Sequence, residues 1–249
     1  MPGTALNCDV NPHAHPPMQS VFKLPLAMTA LHRIEQGAFS LDQEIRFLPA
    51  DLFPMRTHSP LQDKYPEANV DVPLRELLRL AVSLSDNAAA DLVLRVIGGP
   101  QVVQSYIHSL GITGFRLQDN EHALHRDFDL QYRDWFEPAA AVQLLRMIND
   151  RSPLSREHTE LLREWMTDLG KSPSRLKRDL PPGTLVLHKP GTSGIRDGLT
   201  AATNDIGLIT LPGGRRLAIA VFVTDSRADD TTRDAVIARI ARAVYDDVK

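Results

Sequence analysis

Met18-Gln19-Ser20-Val21-Phe22-Lys23 is followed by Leu24, Ala27, Met28, Leu31 and Ile34, apolar positions recurring at three- and four-residue intervals. That spacing predicts a helix beginning at or near Ser20, with Pro25 in the tolerated first turn and Gly37 beyond its end. Residues three apart share a helix face, so the amine of Lys23 falls beside the hydroxyl of Ser20. A neutral amine there can take the proton that a serine must shed before attacking a carbonyl. Free N–H groups at a helix start suit a developing oxyanion. The tetrapeptide alone is unspecific, because Ser is a common helix cap and a Lys three residues on is ordinary.

Further along, Asp71 and Pro73 open a second helix with Leu74, Leu77, Leu78 and Ala81 on one face. Asn87 reads as the cap of a third helix, which Gly98-Gly99 ends, and residues 83–86 form a short loop between the two. Pro100 restarts a helix that Gly111 closes. Residues 113–136 are polar with little periodicity, a loop long enough to be functional or disordered. Helices resume after Pro138 and after Ser155. Beyond Pro181-Pro182-Gly183 the pattern turns to strand, with Val186, residues 203–211 and residues 217–224 β-rich and Pro212-Gly213-Gly214 a hairpin turn. Val236, Ile240 and Val244 line one side of a last helix. Helices gathered in the middle, with hairpin strands and a covering helix late, predict an α+β protein with a mostly antiparallel sheet.

The 249 residues, 43% hydrophobic, suffice for a substantial core. A net charge of -3 with scattered Lys and Arg offers no basic stripe for phosphates, which argues against nucleic acid as a partner. Cys8 is the single cysteine, so an internal disulfide and any cysteine-rich metal or redox motif are excluded. The start lacks a basic segment leading into an apolar one, and no run of apolar residues is long enough for a membrane span.

Two further motifs carry possible chemistry. In Ser85-Asp86-Asn87 a hydroxyl held in an interhelical loop can relay a proton to a leaving nitrogen, and Asn87 can donate to a substrate amide, although helix capping alone also accounts for Asn87. Lys189-Pro190-Gly191-Thr192-Ser193-Gly194 follows a β-rich run. A cation and small residues at a strand edge let a substrate backbone or carboxylate lie alongside, and an ordinary hairpin turn is the alternative.

Taken in order, S-x-x-K, S-D-N and the K-x-G element resemble the class A β-lactamases and penicillin-binding proteins. Ser59-Pro60-Leu61, the run Ala81-Val82-Ser83-Leu84-Ser85-Asp86-Asn87, residues 194–207 and Ala218-Ile219-Ala220-Val221-Phe222-Val223 extend the likeness over nearly the whole chain. The resemblance implies an all-helical domain over residues 20–169 and an α/β domain built from residues 1–19 and 170–249, with the site in the groove between them. It implies Ser20 as nucleophile, Lys23 as its proton partner, Ser85 as relay, Asn87 as amide-binding group and Lys189 as the cation supporting Ser85 and a substrate carboxylate. The backbone N–H groups of Ser20 and Thr192 would form the oxyanion hole. Gly191, Ser193 and His58 would line the substrate, and Arg175 stands where some relatives bind a carboxylate, a surface arginine being the alternative. Glu121, in Glu121-His122-Ala123-Leu124-His125, resembles the glutamate that holds the deacylating water on an omega-shaped loop, although a solvated loop carboxylate would match the same pattern.

The implied activity is hydrolysis of penicillins or cephalosporins by a monomer, with water as second substrate and no metal or organic cofactor. A D-alanyl peptidase or esterase, and a β-lactam sensor that acylates once, are the rivals. Four departures bear on them. Pro190 removes a hydroxyl that usually binds the carboxylate. His125 replaces an Asn that helps hold the water, and Asp119 stands where an arginine usually pairs with Asp134, so a looser loop is expected. His58 replaces an aromatic wall. The nineteen residues before Ser20 leave too little room for the family's first helix and first strand together with an export signal. The resemblance implies a periplasmic or secreted enzyme, and the missing signal leaves the cytoplasm open.

Overall fold

A computed structural model of the chain describes residues 8–54, 57–167 and 174–249. The stretch around Ser20 is a 3-10 turn, Gln19–Phe22, running straight into α1 (Lys23–Glu35). Ser20 therefore lies one turn ahead of the α-helix proper. The tighter turn is closed by a hydrogen bond from Val21 N–H to the Met18 carbonyl, with Gln19 at φ 49°. Every α1 residue from Lys23 to Leu31 is buried, as expected for a helix apolar on most of its circumference.

β1 (Glu44–Phe47) pairs antiparallel with β2 (Val70–Pro73), and α2 (Pro60–Lys64) lies between them in sequence. Asp71 and Pro73 thus close a short ladder instead of opening a helix, and α3 (Leu74–Ser83) starts one residue beyond Pro73. The cap of α4 (Asn87–Ile97) is Asp86, whose carboxylate accepts the Ala89 N–H; Asn87 is the first helical residue, which frees its amide for other partners. After α5 (Pro100–Ser109), residues 113–136 are not one irregular loop. They form β3 (Phe115–Arg116), α6 (Glu121–Arg126), a 3-10 turn Phe128–Arg133 and β4 (Trp135–Phe136), with β3 and β4 paired antiparallel. Elements of two to six residues are too short for periodicity to register. α7 (Pro138–Asp150) and α8 (Arg156–Thr167) complete the helical body. The domain boundary expected at residue 169 lies outside the described residues.

The sheet comprises β5 (Val186–Thr192), β6 (Ile195–Arg196), β7 (Leu199–Thr210) and β8 (Arg216–Ser226), antiparallel throughout, before α9 (Asp230–Val248). β5 and then β6 run along one edge of β7, and β8 along the other. Alternation sorts the two faces. Leu187, Ile206 and Leu208 join the core of the helical body, while Val186, Ile209, Ile219 and Val221 meet Leu176 and the α9 residues Ile237, Ala241 and Tyr245. Lys189, two residues after Leu187, accordingly points toward the helical body. Among the described strands β5 pairs only with β7, so its outer edge is open, and there Pro190 is tolerated.

The segment before Ser20 is stitched to both parts. The Met18 N–H donates to the Asp134 carbonyl, the Ala139 N–H donates to Pro12, and Asn204 Nδ2 donates to the carbonyls of Pro17 and Met18.

Candidate active site

The 3-10 turn leaves Ser20 half-buried and directs Lys23 into the protein, where its side chain is fully enclosed. Four oxygens surround Lys23 Nζ: Ser20 Oγ at 3.0 Å, the Ser85 carbonyl at 2.8 Å, Asn87 Oδ1 at 2.5 Å and Glu121 Oε1 at 2.9 Å. An ammonium has three hydrogens. The Ser85 carbonyl and Asn87 Oδ1 only accept, whereas the Ser20 hydroxyl either accepts from Lys23 or donates to it. That exchange is what a proton handover between the two requires.

Ser85 occupies the left-handed region at φ 59°, directly before the buried Asp86. Asp86 is fully buried and accepts from Ser59 Oγ at 2.7 Å, Leu61 N–H at 2.6 Å and Ala89 N–H at 2.9 Å. A carboxylate so satisfied fixes the start of α4 and the turn before it. The Ser85 hydroxyl accepts from Lys189 Nζ at 3.0 Å, and Lys189 also donates to the Pro190 carbonyl at 3.2 Å. His58 sits exposed at the rim: its ring Nε2 lies 2.7 Å from the Leu84 carbonyl and its own carbonyl accepts the Asn87 N–H.

Glu121 is 4% exposed at the first turn of α6. Two side chains hold that turn. Asn120 accepts the Ala123 N–H at 3.0 Å, and Asp91 accepts the N–H groups of Glu121 at 2.9 Å and His122 at 3.0 Å. Asp91 also meets His122 Nδ1 at 2.6 Å, a hydrogen bond that raises the His122 pKa above its usual value. Asp91 escaped sequence reasoning, yet it lies four residues after Asn87 on the same helix face, a spacing that could have found it. His125 Nδ1 lies 2.8 Å from the Glu121 carbonyl, and its Nε2 lies 2.7 Å from Thr57 Oγ1, which accepts from Asn87 Nδ2 at 2.8 Å. In the tautomer protonated on Nδ1, Asn87, Thr57, His125 and Glu121 form one consistently directed chain. His125 thereby ties α6 to the segment carrying Thr57.

β5 passes tightly against the Ser20 turn. A Cβ on Gly191 would lie 2.7 Å from the Met18 carbonyl and 3.2 Å from Ser20 N, so only glycine permits this approach. Arg175 does not project into solvent. Its Nε pairs with Asp234 at 2.8 Å while the guanidinium donates to the carbonyls of Gly191 at 3.0 Å and Asn204 at 2.8 Å and to Thr192 Oγ1 at 2.6 Å. The Ser193 hydroxyl is engaged by the sheet, accepting from Ala202 N–H at 3.1 Å and donating to the Gly194 carbonyl at 2.9 Å. Ser20, Lys23, Ser85, Asn87, Glu121 and Lys189 are thus joined through direct contacts, with Gly191 against the Ser20 turn and Thr192 and Arg175 at the adjoining strand end. Among the described residues no group of three or more His, Cys, Asp or Glu side chains could hold a metal ion, and no helix is long and apolar enough to cross a membrane.

A helical body and an antiparallel sheet meeting at a serine–lysine pair define the serine acyl-transfer class of hydrolases. Residues 3–248 match the model of the β-lactamase enzyme family. The extended-spectrum β-lactamase PER-1 of Pseudomonas aeruginosa is 42% identical over 95% of this chain and 76% of its own length; VEB-1 of the same organism is 37% identical over 95% and 79%. The crystal structure of the TLA-3 extended-spectrum β-lactamase superposes with a TM-score of 0.95 at 38% identity, covering 99% of this chain and 90% of that one. The chain belongs to the β-lactamase enzyme family and is a class A serine β-lactamase.

Proposed function

We propose that the enzyme opens the amide of penicillins and cephalosporins through an ester on Ser20, released by a water that Glu121 activates. The observation carrying this reading is the buried Lys23 amine set between Ser20 Oγ, 3.0 Å away, and Glu121 Oε1, 2.9 Å away. Lys23 takes the Ser20 proton as Oγ bonds to the β-lactam carbonyl carbon. The N–H groups of Ser20 and Thr192 receive the oxyanion. As the C–N bond breaks, the Ser85 hydroxyl passes its proton to the departing nitrogen and is reprotonated from the Lys23 and Lys189 side. Glu121 then takes a proton from water, the hydroxide adds to the ester carbonyl, and as the ester C–O bond breaks that proton passes through Lys23 to Ser20 Oγ, which leaves as an alcohol while Glu121 returns to the carboxylate. Pro190 carries no hydroxyl, so Lys189, Thr192 and Arg175 bind the substrate carboxylate.

Hydrolysis of a chromogenic cephalosporin, a D-alanyl-D-alanine peptide and a short-chain ester, each beside the Ser20→Ala variant, tests the assignment. Multiple turnovers of the cephalosporin alone, lost in Ser20→Ala, are expected. Preferential turnover of the peptide or ester would replace this reading with a peptidase or esterase, and a single stoichiometric adduct would replace it with a sensor.

A further inference from the structure

The two N–H groups assigned to the oxyanion stand on separate segments, Ser20 on the 3-10 turn before α1 and Thr192 at the end of β5. Their spacing is set by what joins the turn to the sheet. Gly191 sets the limit of approach, because a Cβ there would meet the Met18 carbonyl at 2.7 Å and Ser20 N at 3.2 Å. Attraction comes from the neighbouring strand. Asn204 on β7 is the ladder partner of Gly191, as Thr203 is of Thr192, and it shares the face that carries Ile206 and Leu208 into the helical body. Fully buried, it donates from Nδ2 to the Pro17 carbonyl at 2.9 Å and to the Met18 carbonyl at 3.2 Å. The Met18 carbonyl is also the acceptor that closes the Ser20 turn, taking the Val21 N–H at 3.2 Å, and within that turn Gln19 is left-handed at φ 49°. Asn204 Oδ1 is buried with no hydrogen-bond partner. An amide turned the other way would set its oxygen against two carbonyl oxygens, so the observed orientation leaves one acceptor unsatisfied and keeps both hydrogens on the chain before Ser20.

We propose that Asn204 is a positioning residue for acylation: its amide, holding the Pro17 and Met18 carbonyls, sets the Ser20 N–H against the Thr192 N–H. Buried behind the turn, it acts through Met18 and not on the reacting atoms. The rung that carries the amide is braced separately. Arg175 donates to the Asn204 carbonyl at 2.8 Å, to the Gly191 carbonyl at 3.0 Å and to Thr192 Oγ1 at 2.6 Å, so the sheet end holds its place while the amide holds the turn. Negative charge on the carbonyl oxygen develops only in the transition state. Loss of the tether therefore lowers the acylation rate and leaves binding of the intact β-lactam nearly unchanged.

The inference rests on the proposed acylation of Ser20, and the experiment separates the two. Asn204→Leu keeps the bulk and removes both donors. Single-turnover acylation by a chromogenic cephalosporin is expected to slow by roughly 10²-fold, with the dissociation constant of the first complex within about threefold of the parent's. Asn204→Asp adds a readout that a packing defect does not give. Its acid form donates one O–H to the carbonyls, whereas its carboxylate donates none and faces two carbonyl oxygens. Burial raises the pKa of that carboxyl and Arg175 lowers it, so variant and parent are compared from about pH 5 to about pH 9. The ratio of variant to parent acylation rates should fall by at least about tenfold as pH rises across that range. Should Asn204→Leu fail to fold, the Asn204→Asp ratio decides alone. Acylation at the parent's rate by a folded Asn204→Leu, or an Asn204→Asp ratio that does not change with pH, would overturn the inference. If instead Ser20 is not the acylated residue, Ser20→Ala still reacts with the cephalosporin, an outcome that the Asn204 variants do not produce.

Discussion

Lys23 Nζ lies 2.9 Å from Glu121 Oε1, and both side chains are shielded from water. One belongs to the central helix and the other to the loop beside it, so this contact fixes the distance between the group proposed to activate Ser20 and the group proposed to release it. Removing one member strands the other in a dry site. Lys23→Ala is expected to lower the acylation rate by at least about 10³-fold, and stopped-flow with a chromogenic cephalosporin reads this directly. An acylation rate near the parent's would show that Ser20 is activated elsewhere.

Asp86 concentrates three hydrogen bonds in a buried turn. Asp86→Ala removes the α4 cap and leaves the Ser59 hydroxyl and the Leu61 N–H without their acceptor. The expected loss is about 3 kcal/mol of stability, read by urea denaturation, together with reduced activity as Ser85 relaxes from φ 59°. A change below about 1 kcal/mol would show that the turn is held by other contacts.

Gly191→Ala places a methyl 2.7 Å from the Met18 carbonyl, a backbone atom that cannot swing aside. Either β5 or the Ser20 turn must shift. A fall in kcat/KM of about 10²-fold with little change in Tm is expected. Unchanged kinetics would mean that the strand has slack.

The hydrogen bond from His122 to Asp91 raises the His122 pKa, and its sign sets a pH dependence. The stabilisation is fully present below the unfolded value of about 6.5 and is lost as pH rises through the higher folded value. Tm of the parent should therefore fall across that window relative to Asp91→Asn, which cannot accept all three donors. Parallel Tm profiles would remove His122 from the account.

The sequence made the main elements legible because α1, α3, β7 and β8 are long enough for apolar periodicity to show. The motifs around Ser20, Ser85 and Lys189 were readable by their order. Three features were not. Asp86 and Asn87 exchange roles because either residue type can cap a helix, and only the tertiary contact to Ser59 decides which one does. The short elements between residues 113 and 136 fall below the length at which a period can be counted. The closure of the loop neck, where Asp134 Oδ1 accepts the N–H groups of Gln118 and Asp119, depends on a fold that brings together residues fifteen and sixteen positions apart.

Intact-mass analysis of Glu121→Gln mixed with a cephalosporin tests the central claim most directly. The account predicts rapid formation of an adduct on Ser20 that persists far longer than in the parent. Prompt return to the unmodified mass, with continued turnover, would contradict it.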